Sequence, residues 1–338
     1  MKKLLLLFIL AMTLIVISCS NDDDSFEPIN LSSVNVYVAG QKDGNATYWE
    51  NNTEITLDNA GYSGSIADKI IVQNNNIYVF GRGGTSYLLW KNGIVTNLTE
   101  EFLEADYEVE FIADMFIDGV NEYFIGYLKS TSNPTSYDLV YWKNGVKTII
   151  LGNCVYRHQQ SCIKVINDNI YVFSKNQNND YGIFINSTFN QINSGYLPYG
   201  IVKNENEVYV YGSIIGNTDI SGFYKNVATS VETNFEQSIR DLAFDTSDIY
   251  TVVLHNDNVD FSSRREIKKN NSSYYVTPEG YESHIADLKA VNGNVYTIVR
   301  ELTSANFGPN KLLINNEEEL VLDENPSDLL NSIYIVED

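Results

Sequence analysis

A seven-residue phrase centred on a tyrosine recurs seven times along the chain, and this repeat constrains the fold more than any other feature of the sequence. It reads "NNIYVFG" at 75–81 and "GNVYTIV" at 293–299, for example. Successive tyrosines lie 38 to 48 residues apart, which indicates one unit of about 44 residues in repetition. The repeated tyrosines are Tyr37, Tyr78, Tyr123, Tyr171, Tyr209, Tyr250 and Tyr296.

A second phrase follows each tyrosine phrase and predicts a tight hairpin. An apolar residue is followed two places later by asparagine and often by glycine, as in "LWKNG" at 89–93. Asparagine and glycine tolerate the positive φ that two-residue hairpin turns require. An alternating run such as "IADKIIVQ" at 66–73 precedes most tyrosine phrases, and a short run such as "IVTNL" at 94–98 follows the hairpin. Each unit therefore predicts four short strands.

Four antiparallel strands in a unit of this size are typical of one blade of a β-propeller. The first unit begins at Val34 without a preceding inner strand, whereas the segment 331–338 has no tyrosine phrase after it. These two segments would complete one blade and close the ring, which removes open strand edges. We therefore predict an all-β, seven-bladed β-propeller over residues 34–338, with the ring closed by the C-terminal strand.

The stretch "NNNIYVFGRGGTSYLLWKNG" at 74–93 resembles the repeats of kelch-like propellers. The resemblance extends over nearly the whole chain after the predicted signal peptide 1–18, but the paired glycine, Gly83 and Gly84, occurs in this unit alone. It implies a propeller in which the loops from each outer strand to the next inner strand gather on one face, where a ligand site is expected.

The first residues of the chain resemble the signal peptide of a bacterial lipoprotein. Lys2 and Lys3 precede an apolar run from Leu4 to Ile17, which is shorter than the about 20 residues that a membrane-spanning helix needs. Cys19 follows this run, as in a lipobox, and would carry the lipid. Residues 1–18 are thus predicted to be a signal peptide; an ordinary secreted protein with an incidental cysteine is the alternative.

Residues 19–33 are polar and have no periodicity, so we expect a flexible acidic tether. Its start, "SNDDD" at 20–24, resembles the export tag of surface lipoproteins of the Bacteroidetes group. Two or three acyl chains anchor a protein stably. The prediction is therefore a lipid-anchored protein of the outer membrane, exposed at the cell surface, with a periplasm-facing lipoprotein as the alternative.

The composition limits the partners. The formal net charge is −22 at pH 7, so nucleic acid and anionic lipid surfaces would be repelled. We expect membrane contact through the lipid anchor only, a monomer, and no cofactor. The expected partner is a glycan or a protein at the cell surface.

Cys154 and Cys162 are the other two cysteines of the chain. Outside the cytoplasm such a pair predicts a disulfide that closes a short loop. The alternative is a metal site that includes His158, midway between them, but the sequence offers no evident fourth ligand.

Aromatic residues recur in the loops that lead into the inner strands. Around one rim they would offer their rings to sugars or to an apolar peptide, although packing within the repeat is the simpler interpretation. His284 lies beside this set and is a conceivable acid or base. The rim candidates are Tyr62, Tyr107, Tyr156, Tyr196, Phe235, Tyr281 and His284.

Four aspartates of the same repeated motif are predicted to lie near the central channel: Asp68, Asp114, Asp241 and Asp287. A ring of carboxylates could bind a cation such as Ca²⁺. More often such aspartates accept hydrogen bonds from loop amides, so they are weak candidates for a metal.

Signatures of known catalytic sites, such as HExxH, GxSxG or a phosphate-binding glycine loop, do not occur in the sequence. These patterns favour a surface-anchored, non-catalytic binding or scaffold lipoprotein over an enzyme. The alternative is a polysaccharide hydrolase or lyase that uses the channel carboxylates.

Overall fold

The computed structural model describes residues 34–155, 157–216, 220–254, 264–278, 282–302, 307–322, 325 and 328–337. The predicted signal peptide 1–18 and the tether 19–33, with Cys19, lie outside the described residues.

The described residues form 28 strands in seven four-stranded antiparallel sheets, arranged as the blades of a propeller ring. The predicted fold is therefore confirmed. Within each blade the strands follow the predicted order from the inner strand to the outer strand, because each hairpin joins neighbours in sequence. We number the blades by their tyrosine strands, so the first blade contains both ends of the described chain.

The first four blades have the following bounds. Blade 1 contains β28 (Leu329–Glu337), β1 (Val34–Lys42), β2 (Asn45–Glu50) and β3 (Thr53–Thr56); blade 2 contains β4 (Ser65–Gln73), β5 (Asn76–Gly83), β6 (Ser86–Lys91) and β7 (Ile94–Asn97); blade 3 contains β8 (Tyr107–Asp118), β9 (Asn121–Ser130), β10 (Tyr137–Lys143) and β11 (Val146–Cys154); blade 4 contains β12 (Cys162–Ile166), β13 (Asn169–Lys175), β14 (Tyr181–Ile185) and β15 (Thr188–Gln191).

The last three blades continue the pattern. Blade 5 contains β16 (Tyr196–Asn204), β17 (Glu207–Ile215), β18 (Ile220–Asn226) and β19 (Glu232–Phe235); blade 6 contains β20 (Ile239–Asp245), β21 (Asp248–Leu254), β22 (Arg265–Lys269) and β23 (Ser272–Val276); blade 7 contains β24 (Glu282–Val291), β25 (Asn294–Leu302), β26 (Phe307–Ile314) and β27 (Glu317–Leu322).

In six of the seven blades the asparagine of the hairpin phrase binds back to the tyrosine strand; in blade 5, Asn226 instead accepts the amides of Ala228 and Thr229 in its own turn. In blade 2, Asn92 has φ of 51° and Gly93 has φ of 80°, as two-residue hairpin turns require. Asn92 Oδ1 accepts the amide of Ile77 at 2.8 Å, and its Nδ2 donates to Asn76 Oδ1 at 2.9 Å. Equivalent bonds form at Asn51, Asn144, Asn186, Asn270 and Asn315.

A β-bulge interrupts the inner strand of most blades at the same point. In blade 2 the register shifts between Ala67 and Lys69, opposite Gly81. A Cβ on Gly81 would lie 2.0 Å from the carbonyl oxygen of Ile66, so a side chain cannot fit there. Bulges bend a strand and re-aim its side chains, and this one determines which residues of the inner strand face the channel.

The ring closes as predicted. Strand β28 pairs antiparallel with β1, with Tyr334 opposite Tyr37 and Glu337 opposite Val34. Ile333 is almost fully buried, and its amide donates to Asp287 Oδ2 of blade 7 at 2.7 Å. The closing strand is therefore held by hydrogen bonds on both sides.

The hydrophobic core lies largely between neighbouring blades. Tyr78 and Phe80 of blade 2 belong to one cluster with Met115 and Phe124 of blade 3. Apolar side chains on both faces of each sheet are covered in this way, since each blade packs against two others.

Within the described ranges the chain has one short helix, α1 (Leu98–Glu101), which Asn97 caps by accepting the amides of Thr99 and Glu100. Phe102 follows it and stacks on Trp142 of blade 3, with ring centroids 4.4 Å apart. No helix in the described part of the chain is long and apolar enough to cross a membrane.

Candidate ligand site in the central channel

A cavity of about 870 Å³ lies on the propeller axis, since residues from all seven inner strands line it. Its lining begins in the middle of each inner strand and extends toward the hairpin that joins this strand to the tyrosine strand. The cavity therefore lies away from the loops that carry the predicted aromatic rim. Its volume falls within the range of small-molecule sites, about 300–1,000 Å³.

Two rings of equivalent side chains surround the axis, as the strand register shows. The first ring contains the residues opposite the second position after each repeated tyrosine: Ser332, Lys69, Asp114, Cys162, Gly200, Asp241 and Asp287. The second ring contains the residues opposite the tyrosines themselves: Tyr334, Ile71, Phe116, Lys164, Val202, Ala243 and Lys289. The two rings are two residues apart in each strand, so they share the face that points to the axis.

Three of the four predicted aspartates lie in the first ring, but Asp68 does not. Asp68 occupies the bulge of β4, one residue before the ring position, which Lys69 takes instead. Its carboxylate forms two hydrogen bonds with Arg82, at 2.9 and 3.1 Å. The expectation that Asp68 is equivalent to the other three is therefore corrected by one residue of register.

Asp114 links three blades. Its Oδ1 accepts from Lys69 Nζ of blade 2 at 2.5 Å, and its Oδ2 accepts from the amide of Ile163 of blade 4 at 3.1 Å. Lys164 Nζ lies farther away, at 3.8 Å from Oδ2. Burial opposes ionisation of Asp114, but the two lysines outweigh it and hold the pKa of the carboxyl below its usual value.

Asp287 links blade 7 to blade 1 in the same way, since it accepts the amide of Ile333. Its carboxylate accepts from the amides of Leu288 and Ile333 and pairs with Lys289. Burial disfavours the charged form of Lys289, but Asp287 and Asp241 raise its pKa above the usual value. These bonds match the expectation that repeated aspartates accept hydrogen bonds from amides.

Asp241 is the least compensated carboxylate of the ring. It accepts the amide of Leu242 at 2.8 Å and the hydroxyl of Tyr211 at 3.4 Å. Tyr211 enters the ring where Gly200 has no side chain, since a Cβ on Gly200 would lie 2.9 Å from the tyrosine oxygen. Burial, with Asp287 nearby, raises the pKa of Asp241 to about 6.

Two lysines meet at one aromatic ring on the opposite side of the channel. Lys164 Nζ lies 5.6 Å and Lys203 Nζ 5.8 Å from the ring centroid of Phe116. Lys203 reaches from blade 5 to blade 3, so its ammonium group extends across the inner strand of blade 4. Within the described ranges, no carboxylate lies within 4.0 Å of Lys203 Nζ, which leaves this cation available to a ligand.

The predicted metal candidates have other partners. Asp114 and Asp287 already accept from amides and lysines. Across the described part of the chain, no group of three or more His, Cys, Asp or Glu side chains is placed to hold a metal ion. In the described part of the chain, amides and lysines thus already occupy the carboxylates of Asp114 and Asp287.

The rim aromatics that the structure describes contact side chains of their own blades. The hydroxyl of Tyr62 donates to Ser86 Oγ at 2.7 Å and accepts from Asn97 Nδ2 at 3.1 Å. A Cβ on Gly83 would lie 2.7 Å from the ring of Tyr62, so this ring fills the space that the glycine leaves. This contact favours the packing interpretation for Tyr62.

Three further rim candidates, Tyr196, Tyr107 and Phe235, also contact side chains of their own blades. Tyr196 donates to Glu232 Oε1 at 2.8 Å and meets the ring of Phe223 edge-on. Tyr107 is half-buried and contacts Lys147, and Phe235 is half-buried and contacts Tyr224. His284 is exposed and lies opposite Arg300 in the strand register. Tyr156 and Tyr281 lie outside the described residues.

The predicted disulfide is not formed in the structure, where Cys154 and Cys162 are both free thiols. Cys154 ends the outer strand of blade 3 and donates to the carbonyl of Tyr137 at 2.9 Å. Cys162 begins the inner strand of blade 4, in the first ring. The width of a blade separates these radial positions, which explains why the two sulfurs do not meet. Burial raises the pKa of Cys162 to about 11.

Sequence reasoning missed the lysines and Tyr211, although the sequence contained a signal for some of them. Alternate residues of a strand share a face, so Lys289 must face the channel if Asp287 does. The same rule places Lys164 beside Cys162. The reach of Lys203 and the substitution of Tyr211 for a side chain on Gly200 have no local sequence signal, because both depend on neighbouring strands.

The sequence matches no protein-family model and no curated protein. Solved structures resemble it in fold. The acylaminoacyl peptidase of Pyrococcus horikoshii has a TM-score of 0.55 at 10% identity, over 87% of this chain and 51% of that one. An acylaminoacyl peptidase in complex with Z-Gly-Gly-Phe-chloromethyl ketone has a TM-score of 0.54 at 10% identity, over 87% of this chain and 51% of that one. The β-propeller domain of the trilobed protease of Pyrococcus furiosus has a TM-score of 0.48 at 9% identity, over 78% of this chain and 83% of that one.

The chain spans about half the length of the acylaminoacyl peptidases that it matches. At identities near 10% the likeness concerns the fold alone.

Proposed function

We propose that this protein is a non-catalytic binding module whose ligand occupies the central cavity, presented at the bacterial surface by a lipid on Cys19. The observation that carries the proposal is the axial cavity of about 870 Å³, lined by charged and aromatic side chains from all seven inner strands. Concave sites with a few convergent polar groups on a rigid scaffold are typical of ligand binding. The partner is an extracellular glycan or protein.

The channel aspartates support binding rather than catalysis. Asp114 and Asp287 hold neighbouring blades together through the amides of Ile163 and Ile333. A general acid or base has to exchange a proton with a substrate, whereas these carboxylates are already committed to structural hydrogen bonds. A propeller that binds without turnover needs only the shape and the charges of the cavity.

A blocked cavity tests the proposal. Glycan arrays and pull-down with the full chain identify a ligand, and Val202→Trp then fills the cavity from the second ring. Val146→Trp, at a hairpin position with 70% exposure, is the matched control. We expect the first variant to lose binding and the second to retain it, with equal melting temperatures. A ligand that binds both variants equally lies elsewhere, and the absence of any ligand argues against a binding module.

One observation favours the alternative, a polysaccharide hydrolase or lyase. The pKa of Asp241, raised to about 6, suits a proton donor near neutral pH, and the hydroxyl of Tyr211 lies beside it. Turnover of any polysaccharide that Asp241→Asn abolishes, with binding retained, would establish the enzyme. Binding without products in an overnight incubation supports the module.

The anchor has a separate test. Expression of the full chain in a bacterium with radioactive palmitate should label the wild type and not Cys19→Ala. Protease added to intact cells should degrade the labelled protein if it faces the exterior. Labelling without protease sensitivity would place it on the periplasmic side.

A further inference from the structure

The charges of the cavity are separated across the axis. On one side, Lys69 and Lys164 share one ring carboxylate, Asp114, while Lys203 has no described carboxylate within 4.0 Å, and the exposed Glu205 lies at the cavity edge. On the other side, Lys289 is shared by two carboxylates, Asp241 and Asp287, and Glu337 lies at the end of the closing strand. Blades 2 to 5 therefore present a surplus of positive charge, and the remaining blades a surplus of negative charge.

We propose that the ligand of this cavity is an acidic saccharide, whose carboxylate binds between Lys164 and Lys203 and whose hydroxyl groups face Asp241 and Asp287. This inference rests on the proposed function and specifies its ligand class.

The lysine side of the cavity recognises the acid group. Lys164 and Lys203 both lie over Phe116. Lys69 is hydrogen-bonded to Asp114 at 2.5 Å, whereas Lys164 lies 3.8 Å from that carboxylate. Two ammonium groups around one apolar ring form a site for a single anion, since charge-assisted hydrogen bonds are among the stronger ones.

The carboxylate side of the cavity recognises hydroxyl groups. An ionised carboxylate offers about four acceptor positions, and Asp241 uses two of them, for Leu242 and Tyr211. The unused positions suit neutral donors such as sugar hydroxyls. An acidic peptide carries several carboxylates, so its second charge would meet Asp241 and Asp287 and be repelled.

The net charge of the whole chain does not prevent this binding. At a formal charge of −22 the protein repels long anionic polymers. A saccharide with one acid group is affected less, because repulsion from distant charges is screened beyond about 8 Å at physiological ionic strength. The contacts with Lys164 and Lys203 are direct and are screened less.

Matched pairs of small glycosides test the inference on the full chain. The probes are p-nitrophenyl glucuronide and galacturonide, with the corresponding glucoside and galactoside, which replace the carboxylate by a hydroxymethyl group. The variants are Lys164→Gln and Lys203→Gln, with Lys129→Gln, at the end of β9 and outside the cavity lining, as the control. Calorimetric titration gives the affinities, and thermal melting confirms that each variant is folded.

We expect at least one uronide to bind about tenfold more tightly than its neutral partner, as one charge-assisted contact provides. Each cavity lysine variant should lose most of this preference, and Lys129→Gln should keep it. Equal binding of neutral and acidic probes, or an unchanged preference in both cavity variants, would overturn the acidic class while the binding module stands. Tighter binding of a tetraglutamate peptide would overturn the saccharide. If no uronide binds but the array yields another ligand, the inference fails alone.

Discussion

Single asparagines do more in this protein than form turns. In six blades the hairpin asparagine accepts an amide of the tyrosine strand and donates to a side chain at the start of that strand, as Asn92 does for Ile77 and Asn76. The sequence pattern predicts the turn, since Asn-Gly pairs favour positive φ. The reach back to the neighbouring strand is a tertiary contact, so it becomes visible only in the structure.

Asn92→Ala should lower the free energy of unfolding by about 2 kcal/mol, because two hydrogen bonds and the tolerance of positive φ are lost together. Asn92→Asp keeps the acceptor and the backbone preference and should cost less. Thermal melting of both variants measures the difference. Equal losses in the two variants would show that the donor to Asn76 carries the whole effect.

The titration of Asp241 gives a second test at this scale. Burial raises its pKa from 3.8 to about 6 in the folded protein. The folded state therefore gains free energy of unfolding from protonated Asp241 at pH values below the pKa of the unfolded state. This contribution is lost as the pH rises through about 6. Asp241→Asn keeps an acceptor for Leu242 and cannot ionise. Relative to wild type, the variant should gain on the order of 2 kcal/mol between pH 4 and pH 8. A difference in stability that does not change with pH would contradict the raised pKa.

Register errors of one residue have large effects at this scale. The motif "IAD" occurs at 66–68 and at 285–287, yet Asp287 faces the channel and Asp68 lies in a bulge. The two motifs match in sequence, but Asp68 lies one residue farther than Asp287 from the hairpin that follows its strand. Because side chains alternate between faces of a strand, this offset decides which residue faces the axis.

At the scale of elements, the strands and their order follow from the repeat. Alternating apolar runs and Asn-Gly turns predict four strands in each unit, and the seven sheets match this prediction. The short helix α1 was not predicted, because the run "IVTNL" at 94–98 predicts a strand over its whole length. In the structure, Asn97 ends the strand and caps the helix. The cavity could not be located, because its side chains come from all seven inner strands.

Removal of the closing strand provides a test at the element scale. A chain that lacks residues 329–338 loses Leu330 and Ile333, both nearly fully buried, and leaves an open edge on β1. Each such side chain contributes about 2–5 kcal/mol, against a typical total of about 5–15 kcal/mol. We expect no cooperative melting transition and aggregation on heating.

Two further variants make this result interpretable. Deletion of residue 338 alone should leave melting unchanged. Ile333→Ala should lower the melting temperature by several degrees and leave a cooperative transition. A truncated chain that melts like wild type would mean that closure does not hold the ring together.

At the scale of the whole molecule, charge opposes compactness. The chain has 44 acidic and 22 basic residues, so repulsion between like charges should destabilise the folded state at low salt. Raising NaCl from 0.01 to 0.15 M shortens the screening length from about 30 to about 8 Å. The melting temperature should therefore rise. KCl should give the same shift, and a fall with salt would show that ion pairs such as Lys69–Asp114 dominate instead.

The pairing of Val34 with Glu337 places both ends of the described chain side by side. Adjacent strands are about 4.8 Å apart, so a two-residue turn would span the gap and convert the closure into an ordinary hairpin. The ring would then be covalently continuous, and new termini could be opened in any loop between two blades. The position of the chain termini is therefore independent of the fold, and a circular permutant should fold to the same propeller.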